Sequence, residues 1–568
     1  MTEKKWNLGP MLNAYPDSVG GRLSDIAALL KRDEFRDVFR SFYILPSVFN
    51  TDLDRGFSII DYELSETLAD PADVEALREM GVDLAMDLIL NHISVLSPQF
   101  QDLLAKGESS EYRDFFIDWN RFWAGKGEMT PGGWIQPDEK LIRGMFFRKA
   151  ELPLLMVRFP DGRDVPYWNT FYQEVRYTAP EPLDLVRVLG MQYGAACAVA
   201  EKLRPQLAEG RSPGELDFGP WEEKRAAVTE WLEARRSYLG QMDLNVKSPR
   251  VLDYYRETLG KLADYGASVV RLDAFAYASK EPGRHNFLNE PETWDLLAQV
   301  EEMAAPLGLT LLPEIHASYG EGTYALLAAK GYPVYDFFLP GLVIDAFQRR
   351  SGEMLRRWGE EIVAKGITTV NMLGCHDGIP LLDLKGLLPE EDIQRLIGTV
   401  VARGGFVKDL HGAKNVYYQV NATYFSALGE DEERLRLARA IQLFMPGKPQ
   451  VWYLDLFAGC NDYEAMRRAG PGGHKEINRT NLTAEMAEAG LQRDVVKDQL
   501  ALLRLRNTCP VFAGDARIRF GTAGSSLTIV WENASGRAEL HADLADAAFS
   551  VSTWDAAGNE TFRMVRGG

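Results

Sequence analysis

The sequence predicts an α/β fold of the (β/α)8 TIM-barrel type, and three observations carry that prediction. Apolar strand-like runs alternate with amphipathic helical segments over most of the 568 residues. Eight such runs can be counted, which favours a closed barrel over an open doubly wound sheet. Four of them end at a polar cluster carrying an acid or its partner, and parallel-barrel chemistry is mounted at strand ends on one face.

In chain order the expected strands are Gly9–Ala14, Phe42–Pro46, Asp83–Leu90, Ser268–Asp273, Leu309–Ile315, Val334–Leu339, Thr368–Leu373 and Gln450–Leu454. Val82–Leu90, Ala267–Val270, Leu309–Leu312 and Ile367–Leu373 among them read as buried parallel strands, apolar on both faces. Helical segments between them include Ser248–Tyr265, Glu290–Leu307 and Glu433–Leu443. The barrel is therefore assigned to residues 1–92 and 241–514. Two intervals are too long for simple connections. Residues 93–240 hold an aromatic-rich stretch (Phe115 to Trp123, Trp134, Phe146-Phe147) and read as an inserted domain. Its last part, about 180–240, is expected to be a helical hairpin of Leu183–Glu209 and Trp221–Leu239 around a Gly210-Arg211-Ser212-Pro213-Gly214 turn. Residues 378–449, with Gly404-Gly405 and His411-Gly412-Ala413-Lys414, are expected to form a mobile loop region over the barrel mouth. From 515 to 568 short alternating runs (Ser526–Trp531, Phe549–Trp554) predict a small antiparallel β domain.

The 63 basic and 82 acidic residues give a net charge of −19, which excludes nucleic acid as the expected partner. An anionic substrate would have to be drawn by a local cationic pocket. The N-terminus lacks the apolar core of a signal peptide, and no run approaches the roughly 18 apolar residues a membrane span needs. Cys197, Cys375, Cys460 and Cys509 show no paired spacing. A cytoplasmic protein with no membrane partner, no metal and no cofactor is expected; a homodimer is compatible with the sequence, which specifies no oligomeric state.

The four polar clusters are Asp87-Leu88-Ile89-Leu90-Asn91-His92, Arg271-Leu272-Asp273-Ala274, Pro313-Glu314-Ile315-His316 and Cys375-His376-Asp377-Gly378. Side chains alternate along a strand, so Arg271 and Asp273 share a face. A guanidinium beside Asp273 would keep it ionised, as a nucleophile must be, while the apolar neighbours of Glu314 would help it retain a proton. Taken singly, these fragments are equally at home in structural pairs, caps and turns. Together, at ends of separate strands, they describe a retaining pair of carboxylates (Asp273 and Glu314) with a third acid, Asp377, to steady an oxocarbenium-like transition state.

The four clusters resemble the signature regions of the α-amylase superfamily (glycoside hydrolase family 13), and further phrases resemble its sucrose phosphorylase subfamily. Those phrases are Tyr15-Pro16-Asp17, Asp54-Arg55-Gly56-Phe57, Trp168-Asn169-Thr170-Phe171, Arg271 to Tyr277, Tyr418-Gln419-Val420-Asn421, Tyr424 to Gly429 and Glu476-Ile477-Asn478-Arg479. The resemblance implies Asp273 as nucleophile, Glu314 as acid/base and Asp377 as stabiliser. It implies that Asp54, His92, Gln241, Arg271, His376, Gln419 and Arg479 grip the sugar while Phe57 and Tyr277 pack on it. It places Arg148-Lys149 and Tyr418 at phosphate contacts, with His411 and Lys414 as further phosphate or acceptor candidates. The implied activity is phosphorolysis of sucrose or a related α-glucoside to α-glucose 1-phosphate, with the sugar and inorganic phosphate as partners. Sucrose-cleaving relatives carry an Asp two residues before the loop tyrosine; here that position is Val416. Sucrose 6′-phosphate, glucosylglycerol or glucosylglycerate therefore stand as alternative donors. An α-glucosidase or transglucosidase of the same fold, and a catalytically dead barrel, are the competing readings.

Overall fold

The computed structural model describes residues 6–147, 151–407, 419–470 and 473–567. All eight expected barrel strands are present: β1 (Met11–Ala14), β2 (Ser41–Ile44), β3 (Asp83–Ile89), β4 (Ala267–Asp273), β5 (Thr310–Pro313), β6 (Val334–Asp336), β7 (Thr369–Asn371) and β8 (Lys448–Trp452). They pair in parallel in the order β5-β4-β3-β2-β1-β8-β7-β6. A backbone ladder joins every neighbour except β5 and β6, so among the described residues the barrel has one seam without strand hydrogen bonds. β1, β2, β6, β7 and β8 are buried at every residue, as strands covered on both faces must be.

Helix boundaries follow the apolar periodicity closely. Pro249–Asp264, Glu292–Ala304 and Glu432–Phe444 occupy the three helical segments named from the sequence. Six expected strands end earlier than read, and two of them show why. The sixth stops at Asp336 because its carboxylate accepts from the backbone N–H of Phe338 and Leu339 and starts the helix Leu339–Arg349. The eighth stops at Trp452, where Tyr453–Leu456 turn helical.

The chain forms two compact units: 1–91 with 249–281 and 285–568, and 92–248 with 282–284. The barrel thus resumes at Pro249 and not at residue 241, because Ser237–Asp243 is a strand of the second unit. There it lies between Gln173–Arg176 and His92–Ser94 in an antiparallel sheet. The aromatic-rich stretch builds its own core from Ile117, Trp119, Trp123, Ile135, Met145 and Trp168.

The expected helical hairpin is corrected to three helices, Pro182–Leu189, Tyr193–Ala208 and Arg225–Glu233, around a separate core that includes Leu185, Leu203, Phe218 and Trp231. Gly190, at φ +62°, ends the first helix in the left-handed conformation that a helical run through 183–209 would forbid. Ser237–Leu239 leave the helical pattern to pair with Glu174–Arg176.

Residues 378–449 are also corrected. Instead of one loop, their described part holds the helices Glu390–Ala402, Tyr424–Ala427 and Glu432–Phe444, with a short strand Gln419–Val420 paired to Ile379–Pro380. The His411 to Lys414 segment lies outside the described residues. The C-terminal strands β9 (Arg517–Ala523), β10 (Ser526–Asn533), β11 (Gly536–Asp543), β12 (Phe549–Asp555) and β13 (Glu560–Arg566) form an antiparallel meander. It is anchored in the first unit by the Trp531 indole N–H donating to the Phe444 carbonyl (2.7 Å) and by the Arg566–Asp498 ion pair. Among the described residues no helix is long and apolar enough to cross a membrane.

Candidate active site

Strand register explains how the first cluster forms. Arg271 of β4 lies directly opposite Asp87 of β3 and Leu312 of β5, so side chains two residues further on reach the same face. The Arg271 guanidinium donates through Nη1 to Asp87 (2.6 Å) and to Asp273 (2.8 Å), and its Nη2 lies 2.9 Å from Glu314. Asp87 is fully buried and also accepts from the Tyr43 hydroxyl at 2.8 Å. One buried cation therefore serves three carboxylates. Directly after Asp273, Ala274 takes a left-handed φ of +51°, turning the chain sharply into the Phe275–Tyr277 helical turn. Tyr277 packs edge-on to Phe287, its ring centroid 5.0 Å away.

A second cluster is built on a tight turn after β7. The N–H of Cys375 donates to Gly378 and that of Gly378 to Cys375, which presents His376 and Asp377 at the apex. Gly378 sits at φ +108°, and a Cβ there would come within 2.5 Å of the Val420 carbonyl, so the turn requires glycine. Three distant side chains hold the turn's carbonyls: Asn478 donates to Cys375, Arg479 to His376 and Asn421 to Asp377, at 2.7 to 2.9 Å. Lys475 Nζ lies 2.8 Å from Asp377 and 3.2 Å from Asp54, while Arg479 lies 3.6 Å from each. Asp54 and Arg55 both adopt positive φ. Arg55 donates to the Arg479 carbonyl (2.6 Å), pairs with Asp17 and lies over Tyr15 at 4.3 Å. Phe57 links the clusters: it stacks on His376 (4.8 Å, 11°) and faces the Arg271 guanidinium at 5.6 Å.

The electrostatics depart from the sequence reading. Glu314 is not in apolar surroundings. Burial alone would raise it, but Arg271 and His316 prevail and hold its carboxyl down to about 2. Asp273 is pushed up to about 8, chiefly by burial; Arg271 opposes that rise and the charge of Glu314 adds to it. Arg271 cannot fully serve Asp273 because it is shared. With Asp273 raised and Glu314 lowered, the proton of the pair rests on Asp273 at neutral pH and Glu314 is ionised. Burial would also raise Asp377, yet His376, Lys475 and Arg479 keep it well below the carboxylate range. Burial lowers His376 to about 3, leaving it neutral.

Gln419 joins this unit through His316, at 3.2 Å between side-chain nitrogens. His92 and Gln241 belong to the second unit. There they sit on paired strands, His92 opposite Asp243 and Gln241 opposite Ser94, with His92 tilted on Phe171 at 4.9 Å. Arg148, Lys149, His411, Lys414 and Tyr418 lie outside the described residues. Among the described residues there is no group of three or more His, Cys, Asp or Glu that could hold a metal ion.

Sequence reasoning quoted Asp87 in its first cluster without giving it a role, and it missed Lys475 and Asp383, which lies 3.1 Å from His316 Nδ1. Lys475 directly precedes the Glu476 to Arg479 phrase, so a signal was available. Replacing Lys475 with Met should lower kcat/KM for the sugar donor that the resemblance implies about 10- to 100-fold, the cost of one or two charge-assisted contacts. Asp377 depends on that cation to stay ionised, so the acid limb of activity should move to higher pH. Steady-state kinetics between pH 4 and 8 check both, and an unchanged limb would contradict the pairing.

No family model matches the chain. It is 51% identical to the sucrose 6(F)-phosphate phosphorylase of Ilumatobacter coccineus over 551 residues, 95% of each chain. It is 31% identical to the sucrose phosphorylase of Streptococcus mutans, covering 96% of this chain and 97% of the other. The crystal structure of sucrose 6F-phosphate phosphorylase from Thermoanaerobacter thermosaccharolyticum superposes with a TM-score of 0.80 at 30% identity, covering 99% of both chains. The chain belongs to the sucrose phosphorylase subfamily of the α-amylase superfamily and is a glycosyltransferase-type phosphorylase.

Proposed function

We propose that this phosphorylase transfers the glucosyl group of sucrose 6′-phosphate, or of sucrose itself, to inorganic phosphate. The products are α-glucose 1-phosphate and the fructosyl leaving group. The observation that carries the chemistry is the single guanidinium of Arg271 spanning Asp273 and Glu314. It supports the close carboxylate spacing of a retaining enzyme, about 5–5.5 Å, over the wider gap that an inverting pair leaves for water. Once the proton held on Asp273 has passed to Glu314, the Asp273 carboxylate forms a bond to the anomeric carbon as the glycosidic C–O bond breaks, and Glu314 gives the departing oxygen that proton. A phosphate oxygen then attacks the same carbon, releasing the Asp273 carboxylate, so two inversions retain the α configuration. Asp377, held anionic, faces the positive charge that grows on the ring. Asp54, Arg479 and Lys475 supply paired acceptors and donors for its hydroxyls.

The sequence alone puts sucrose first among donors. The 51% identity with a sucrose 6(F)-phosphate phosphorylase, together with Val416, favours the phosphorylated sugar. A phosphorylated leaving group needs local cations on a chain of net charge −19, and Arg148, Lys149, His411 and Lys414 are the candidates. The reaction is assigned to the cytoplasm, which suits the free cysteines Cys197, Cys375, Cys460 and Cys509. A homodimer is the assembly to test first by light scattering.

A donor panel of sucrose, sucrose 6′-phosphate, glucosylglycerol and glucosylglycerate, with and without phosphate, tests the function. Glucose 1-phosphate should form fastest from sucrose 6′-phosphate. Free glucose as the sole product would replace phosphorolysis with hydrolysis.

A further inference from the structure

Beyond the three acids, the barrel carries a second buried carboxylate chain that no step above uses. His316 follows β5, and its Nε2 lies 3.3 Å from Glu314. Its Nδ1 lies 3.1 Å from Asp383, a buried residue on the helical turn Leu382–Leu384 after β7. The imidazole stacks on Phe337, just past the end of β6, with centroids 4.0 Å apart and planes 20° from parallel. A ring fixed on its face by Phe337 and at one nitrogen by a carboxylate can point its other nitrogen in only one direction. That direction is Glu314.

We infer that Asp383 is a positioning residue for the phosphorolysis proposed above: it accepts the Nδ1–H of His316 and so keeps an Nε2–H aimed at the acid/base Glu314. The arrangement has the logic of a carboxylate orienting a histidine toward its proton partner. With both ring nitrogens protonated, the Gln419 amide turns its oxygen toward Nε2, since two N–H groups cannot face each other at 3.2 Å.

The charged groups around the ring are Asp383 and Glu314 in direct contact, with Arg271 on the far side of Glu314. Asp377 acts on Glu314 and Glu321 on Asp383 through space. Burial works against a cationic His316, but the two carboxylates prevail and hold its pKa well above the ordinary imidazole value. The consequence concerns the second half-reaction. After Glu314 has surrendered its proton, the imidazolium stabilises the carboxylate left behind and offers positive charge to the incoming phosphate. Removing the Asp383 charge should let His316 lose its proton within the physiological range.

The test uses α-glucosyl fluoride, whose leaving group needs no proton, with inorganic phosphate as acceptor, and follows glucose 1-phosphate. The readout is the ratio of kcat/KM for phosphate in Asp383→Asn to that in the wild type, from pH 5.5 to 8.5, which cancels phosphate's own ionisation. The ratio should fall about tenfold or more between the ends as an imidazole with an ordinary pKa of about 6.5 deprotonates. Asp383→Glu should restore a flat ratio. A flat ratio in Asp383→Asn would overturn the inference, since a merely structural loss lowers activity equally at every pH. If Asp383→Asn fails to fold, His316→Gln decides. Phosphate kcat/KM should fall at every pH while the pre-steady-state burst of fluoride release keeps its wild-type rate; equal losses in both, or wild-type values in both, overturn the role. A wild-type enzyme that makes no glucose 1-phosphate from either α-glucosyl fluoride or sucrose 6′-phosphate would instead overturn the proposed function.

Discussion

Asp273→Gly should reduce kcat with any natural donor on the order of 10^4-fold or more, as loss of a covalent nucleophile does. Sodium azide should partly restore turnover, but as β-glucosyl azide. Azide enters the space the carboxylate leaves, beside an Arg271 that still pairs with Asp87 and Glu314, and attacks the anomeric carbon from the face opposite the leaving group. One displacement inverts where two retain. The anomeric proton coupling in NMR distinguishes the products. An α-configured azide, or less than a tenfold loss of kcat, would remove Asp273 from the nucleophile's role.

The second large effect is on stability. Arg271→Met should destabilise the fold by about 3–5 kcal/mol at pH 7, because it strands Asp87, Asp273 and Glu314 without their shared cation. The deficit should shrink on acidification. Without Arg271 these buried carboxyls have folded-state pKa values above their unfolded values. Protonation then favours the folded state, fully so below about pH 4, and that help is lost as pH rises through the raised values. Urea melts of both proteins at pH 5 and pH 8 check this. A wider gap at pH 5 than at pH 8 would contradict the sign and therefore the charge assignment.

The barrel was legible because parallel strands announce themselves as apolar runs, and Arg271-Leu272-Asp273 because alternation puts both charged groups on one face. Turn-forming phrases such as Glu476-Ile477-Asn478-Arg479 were visible, but not what they do. Asn478 and Arg479 reach back more than a hundred residues to the carbonyls of Cys375 and His376, a contact no local pattern encodes. Glu314 was misjudged for the same reason: its sequence neighbours Pro313 and Ile315 are apolar, while its spatial neighbours are Arg271 and His316. The helical insertion was misread where a single left-handed Gly190 divides a pattern that is amphipathic on both sides. Asp383 carried no signal at all, since a lone acid in Leu382-Asp383-Leu384 reads as an ordinary turn.

The unpaired junction of β5 and β6 has a mechanical consequence. Everywhere else in the barrel, widening the gap between neighbouring strands means breaking peptide hydrogen bonds. At this junction no peptide ladder closes the wall, and just past the strand ends the Phe337 ring packs on His316 instead. Glu314 is mounted on the lip of that junction, tied by its N–H to the Leu272 carbonyl on one side and bordered on the other by aromatic stacking in place of a peptide rung.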